Sequence, residues 1–98
     1  MKIPVITSDN YIVFLEKFET FTFIHCDCFR WSNSVRKQLE EDFNKLITIH
    51  RKDIYAFHEL EDNKHLKFLN MFNFSYVQDV VGLDSVTRQL FKREYHGN

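Results

Sequence analysis

Glycine and proline are nearly missing from this 98-residue chain, which has two of the former and one of the latter. Its tight turns therefore cannot rely on glycine for left-handed backbone, and Asn and Asp are expected to fill those positions. Cysteine is also scarce, at two residues. Cys26 and Cys28 lie two apart on an expected strand, where side chains share a face and such close neighbours rarely bridge. That spacing excludes a disulfide scaffold and suggests a reduced, cytoplasmic protein. No apolar run reaches membrane-spanning length, and the N-terminus lacks a signal-peptide pattern, so no membrane association is expected. Neither sign of charge dominates. Thirteen Lys and Arg against fourteen Asp and Glu leave no basic footprint for nucleic acid.

What the chain has in quantity is aromatic bulk: eleven Phe, four Tyr and one Trp. A chain this short forms a single domain, residues 1–98, and buries only roughly 60–70% of its unfolded surface. Large side chains must then make the core dense.

Periodicity divides the chain into alternating elements. Ile3–Thr7 reads as a weak strand at an edge, because Pro4 cannot donate to a ladder. Tyr11–Phe18 and Phe21–Phe29 read as strands joined through Glu19 and Thr20. From Val35 the period changes to helical. Val35, Leu39, Phe43, Leu46 and Ile47 form one apolar stripe, and Ser32, Asn33 and Ser34 each offer an oxygen for the N-cap. Asp53–His58 is short, apolar and rich in β-formers. A second helix starts at Asp62 or Asn63, turns Leu66, Leu69 and Phe72 inward, and stops at Asn73 in the C′ position. Phe74–Val80 and Val86–Lys92 close the chain as a hairpin around Gly82. The fold class is thus α/β (α+β), a mixed sheet in the order β-β-α-β-α-β-β with two crossover helices. Right-handed crossovers make Phe21–Phe29 and Asp53–His58 parallel neighbours at the sheet's centre. The apolar character of both faces of Phe21–Phe29 predicts cover on both sides.

This element order resembles the carboxy-terminal part of the GCN5-related N-acetyltransferase (GNAT) fold, over roughly residues 11–93. The words FIHCDCFRWSNSVRKQLEEDFNKLI and HLKFLNMFNFSYV carry the likeness, which is nearest to small acetyltransferase-like proteins of short-tailed phages, including virion proteins. The resemblance implies acetyl-CoA as cofactor, with its pyrophosphate at the amino end of the first helix. There Arg30, Ser32, Asn33, Ser34 and Val35 are the matching residues, and the helix end attracts anions in its own right. The family's loop glycines are absent, and the helix Tyr that protonates the leaving thiolate is replaced by Leu69. Many members also use an acidic strand residue to deprotonate the acceptor amine, which implies catalytic roles for Asp27 or His25. Both share a face with Phe21 and Phe23.

Other readings of these residues are structural. Asp27 can satisfy loop amides or pair with His25. His58, at the end of the neighbouring strand where α/β sheets often place ligands, can line the same cleft or be a surface residue. No second ligand pair accompanies His25–Cys28 at metal spacing, so no metal site is expected. Arg30 and Trp31 suit either an adenine stack or a protein partner, and Trp31 can equally fold back over the first helix as core. Two functions follow: an acetyl-CoA-dependent N-acyltransferase with a divergent site, or a non-catalytic GNAT-like virion or host-interaction protein. The expected location is accordingly the host cytoplasm or the virion.

Overall fold

The computed structural model describes residues 1–96. Strands β1 (Lys2–Thr7), β2 (Tyr11–Phe18) and β3 (Phe21–Cys28) are followed by helix α1 (Asn33–His50) and strand β4 (Ile54–Glu59). Helix α2 (Asn63–Met71) and strands β5 (Ser75–Val81) and β6 (Thr87–Arg93) complete the chain. One six-stranded sheet runs in the order β1-β2-β3-β4-β6-β5. The expected edge strand is present, with a register shift beside Pro4.

Strands β3 and β4 are parallel, as the crossover argument requires. Strand β6 inserts antiparallel between β4 and β5, so the second crossover returns one position away from β4. The ladders differ sharply in extent. Pairing of β2 with β3 is continuous from Phe18↔Phe21 to Tyr11↔Cys28. The β3–β4 pair registers only at Phe23↔Tyr55, near the start of both strands. Beyond that point the two strands part.

Local chemistry explains both helices. Ser32 caps α1, its Oγ accepting from Val35 N at 3.2 Å, and Asp62 caps α2 by accepting from His65 N at 3.0 Å; each side chain satisfies one of the orphan donors of a first turn. Asn73 takes the left-handed conformation just past α2, and Phe74 N donates to Leu69 O at 2.9 Å. The other left-handed residues are Glu19, Arg51 and Ser85, so Asn and Asp do not monopolise these positions. Turn length and helix termination impose the conformation there, against an intrinsic cost of about 1–2 kcal/mol for an L-residue. Gly82 serves a different purpose. A Cβ on it would lie 2.7 Å from Asp84 Oδ1, which accepts from Val86 N at 3.0 Å.

Both helices pack on one face of the sheet. Val35, Leu39, Phe43 and Ile47 of α1 share a core with Leu69 of α2, Tyr11, Val13, Ile54, Ala56 and Phe91. Phe43 meets Phe72 edge-on at 5.6 Å, and Tyr11 donates its hydroxyl to Asp42 on α1. The opposite face of β3 and β4 is bare among the described residues: Phe21 and Phe57 are 41% and 43% exposed. The expectation of cover on both sides is therefore corrected. Apolar residues on both faces of β3 reflect two environments, a packed core and an open aromatic surface.

Candidate functional site

Where β3 and β4 part, a cavity of about 600 Å³ opens between them and α2. Its strand walls include Ile24, Cys26, Asp27 and Cys28 from β3, with Ala56 and Phe57 from β4; α2 contributes Asp62, Lys64, His65, Phe68 and Leu69. An adjoining hollow of about 570 Å³ shares Cys28, Lys64 and Phe68 and is edged by Arg30, Trp31 and Lys67. The second hollow ends at Trp31, next to the Ser32 cap of α1. A larger hollow of about 810 Å³ lies beside Ile47, Asn73, Tyr76 and Tyr95. It collects none of the chemically suggestive residues.

His25 and Asp27 both line the cleft. His25 Nε2 lies 3.0 Å from Glu16 Oε1, with both side chains about one-third exposed. Asp27 is exposed near the end of β3. The cap loop has a more particular geometry. Phe29 N and Arg30 N donate to Asn10 O at 2.7 and 3.4 Å, and Val35 N is taken by the Ser32 cap. Asn33 N and Ser34 N are the first-turn donors that remain for a ligand. Ser32 Oγ also lies 3.1 Å from Ser34 Oγ. Arg30 is exposed, and Trp31 is 50% exposed rather than folded into the core. Lys64 and Lys67 edge the same hollow, placing cations beside a loop without glycine.

Leu69 is 1% exposed and belongs to the core. No proton donor stands at that helix position. Cys26 is a free thiol, pushed up to about 12 by burial and then by Cys28 and Asp27. A neutral, half-buried thiol is a wall, not a nucleophile.

Sequence reasoning missed a pair of histidines. His58 is 2% exposed, so of its two readings the surface one fails, and it lies buried beside the cleft rather than in its lining. Its Nδ1 lies 3.2 Å from His65 Nδ1. Burial, then the His58 neighbour, lowers the His65 pKa below its ordinary 6.5. Their seven-residue separation gives no periodic signal, since one lies on a strand and the other in a helix's first turn. Only the strand's inward alternation of Ile54, Ala56 and His58 could have placed His58 against α2.

No family model matches the chain, and no curated protein matches it. A solved structure does: the ribosomal-protein-S5-alanine acetyltransferase from Vibrio fischeri superposes with a TM-score of 0.69 at 10% identity. The match covers 88% of this chain and 54% of that one, so this chain spans about half the length of its structural neighbour. The sheet order, the parted parallel strands and this likeness together give the chain a minimal GNAT-like fold.

Proposed function

We propose that the chain binds acetyl-CoA in the cleft between β3 and β4 and transfers the acetyl group to an amine. One observation carries this reading: the central parallel strands register only at Phe23↔Tyr55 and then open beside the amino end of α1. The cleft has Ile24, Ala56, Phe68 and Leu69 in its lining, and the adjoining hollow has Arg30, Lys64 and Lys67, which suits a thioester arm followed by phosphates. Asn33 N and Ser34 N, with the helix dipole, receive the pyrophosphate. Arg30, Lys64 and Lys67 add charge, and Trp31 offers a face for the adenine. Ser32 holds the helix end in shape, and Val35 anchors that turn in the core.

Bound acetyl-CoA supplies an activated thioester. Asp27 attracts the acceptor ammonium, and Asp27 or His25 accepts its proton, freeing the nitrogen to attack the carbonyl carbon. As the C–N bond forms and the C–S bond breaks, solvent protonates the departing sulfur, because Leu69 cannot.

The test is a thermal-unfolding series with acetyl-CoA, combined with thiol release in the presence of amine peptides. Ligand at a hundredfold over its Kd adds about 2.7 kcal/mol of stability, and Arg30→Ala reduces the gain. Unchanged melting at millimolar acetyl-CoA refutes the reading. A second reading is a non-catalytic GNAT-like protein that binds another protein through Arg30, Trp31 and the exposed aromatics. The buried Leu69 favours it, and stabilisation by CoA without thiol release is its signature. In either reading, an origin in a phage and a place in the host cytoplasm or virion rest on the sequence resemblance.

A further inference from the structure

The histidine pair takes no part in the acetyl-transfer chemistry above, yet one of its members stands in the cleft. His65 belongs to the lining together with Leu69, one helical turn further along α2, and residues four apart share a helix face. His58 lies behind it, buried and outside the lining. Their Nδ1 atoms are 3.2 Å apart, so the His65 nitrogen left for a molecule in the cleft is Nε2.

Two imidazoles that meet at Nδ1 have room for one hydrogen between them. In the neutral pair either ring donates it. When His65 donates, its Nε2 is a bare acceptor. An added proton then settles on that Nε2, and the charged ring keeps its Nδ1–H on His58. A further proton would set two Nδ1–H groups against each other at 3.2 Å. The pair therefore holds one exchangeable proton and refuses the next.

We propose that His65 supplies, from Nε2 and through solvent in the cleft, the proton taken by the departing sulfur, with His58 as the positioning residue that fixes its tautomer. The inference rests on the acetyl-transfer reading. The imidazolium gives its Nε2 proton to a water, that water gives one to the sulfur, and the pair is left neutral. Of the two protons shed by the acceptor nitrogen, one recharges His65 through solvent and the other leaves to bulk. The surroundings suit a ring that gives up its proton. Burial and then His58 hold His65 below its ordinary 6.5, against Asp62 and Glu59, which favour the charged form. Glu59 is shared with Arg88 of β6 at 3.5 Å. The cleft's other titratable groups are Lys64 of α2, Lys2 of β1, and His25, Cys26, Asp27 and Cys28 of β3.

Two measurements test the proposal. In the unliganded protein, imidazole nitrogen NMR is expected to show His58 and His65 taking up one proton between them as pH falls from about 8 to 5. Acetyl-CoA is expected to move the His65 Nε2 signal. Two independent uptakes near the ordinary value overturn the pairing. Thiol release to hydroxylamine, a nucleophile that is already neutral, then reads the sulfur step without Asp27. His65→Gln should lower kcat about a hundredfold with KM and the acetyl-CoA melting shift unchanged, and should erase the fall in rate as pH rises through the pair's titration. Imidazole should restore part of the rate to His65→Ala, and His58→Gln should move that fall to higher pH. Full kcat in His65→Gln overturns this inference alone. Unchanged melting of the wild-type chain with acetyl-CoA overturns the acetyl-transfer reading and this inference with it, and wild-type binding without thiol release does the same.

Discussion

The two ends of the β3–β4 pair share strands, sheet and core, yet they are built differently. At the closed end Phe21, Phe23 and Tyr55 crowd around the one registered pair. At the open end the strands carry Asp27, Cys28, His58 and Glu59, and the gap is walled by α2. The difference lies in how the pair is held: one ladder is left unfinished, and aromatic rings hold the strands together at its closed end.

Substitution at each end breaks the comparison most forcibly. Phe23→Ala removes a half-buried stacked ring and is expected to cost about 2–3 kcal/mol in urea unfolding, below the range for fully buried Phe. Cys26→Ala, at the cleft wall, is expected to cost no more than about 1 kcal/mol. Equal losses would mean that the open end is as tightly packed as the closed one.

The histidine pair sharpens the contrast. His58→Ala deletes a buried partner of His65 Nδ1 and is expected to cost about 1–3 kcal/mol. pH acts in the same place. The folded His65 binds its proton less readily than the unfolded side chain at 6.5, so the unfolded chain takes up more protons as pH falls through 6.5. Stability therefore declines below that pH until the folded group also titrates, by at most about 1.4 kcal/mol per pH unit for one histidine. His50, lowered chiefly by burial and then by Lys17 and Lys52, acts with the same sign. A His50→Gln background isolates the effect, and His65→Gln should flatten what remains.

Smaller effects belong to the helix ends that frame the cleft. Asp62→Ala and Ser32→Ala each remove a cap contact, at about 1 kcal/mol apiece by chemical denaturation. Ser32→Ala should also weaken CoA binding, since that cap shapes the turn proposed for the phosphates. Smallest of all, Arg36→Ala breaks an exposed i,i+4 pair with Glu40 and should move stability by about 0.3–0.5 kcal/mol.

Much of this architecture is legible in the sequence. The α1 stripe from Val35 to Ile47, the Asn73 stop and the parallel neighbours were all readable, because each follows from local periodicity, capping or crossover handedness. Two features were not. The open face escaped because apolar alternation cannot distinguish a covered face from an open aromatic one. The His58–His65 contact escaped because it depends on how α2 lies across β4, a tertiary matter that neither local segment encodes. Trp31 was readable as functional or structural, and only its half-exposed place beside Lys64 and Lys67 favours the former.

An amide-resolved NMR titration with CoA addresses the central proposal most directly. Binding between the parted strands predicts saturable shifts confined to residues 24–28, 30–36, 56–57 and 62–69, with Phe23, Tyr55 and the hollow near Tyr76 and Tyr95 undisturbed. Shifts centred on that other hollow, or none at millimolar CoA, contradict it.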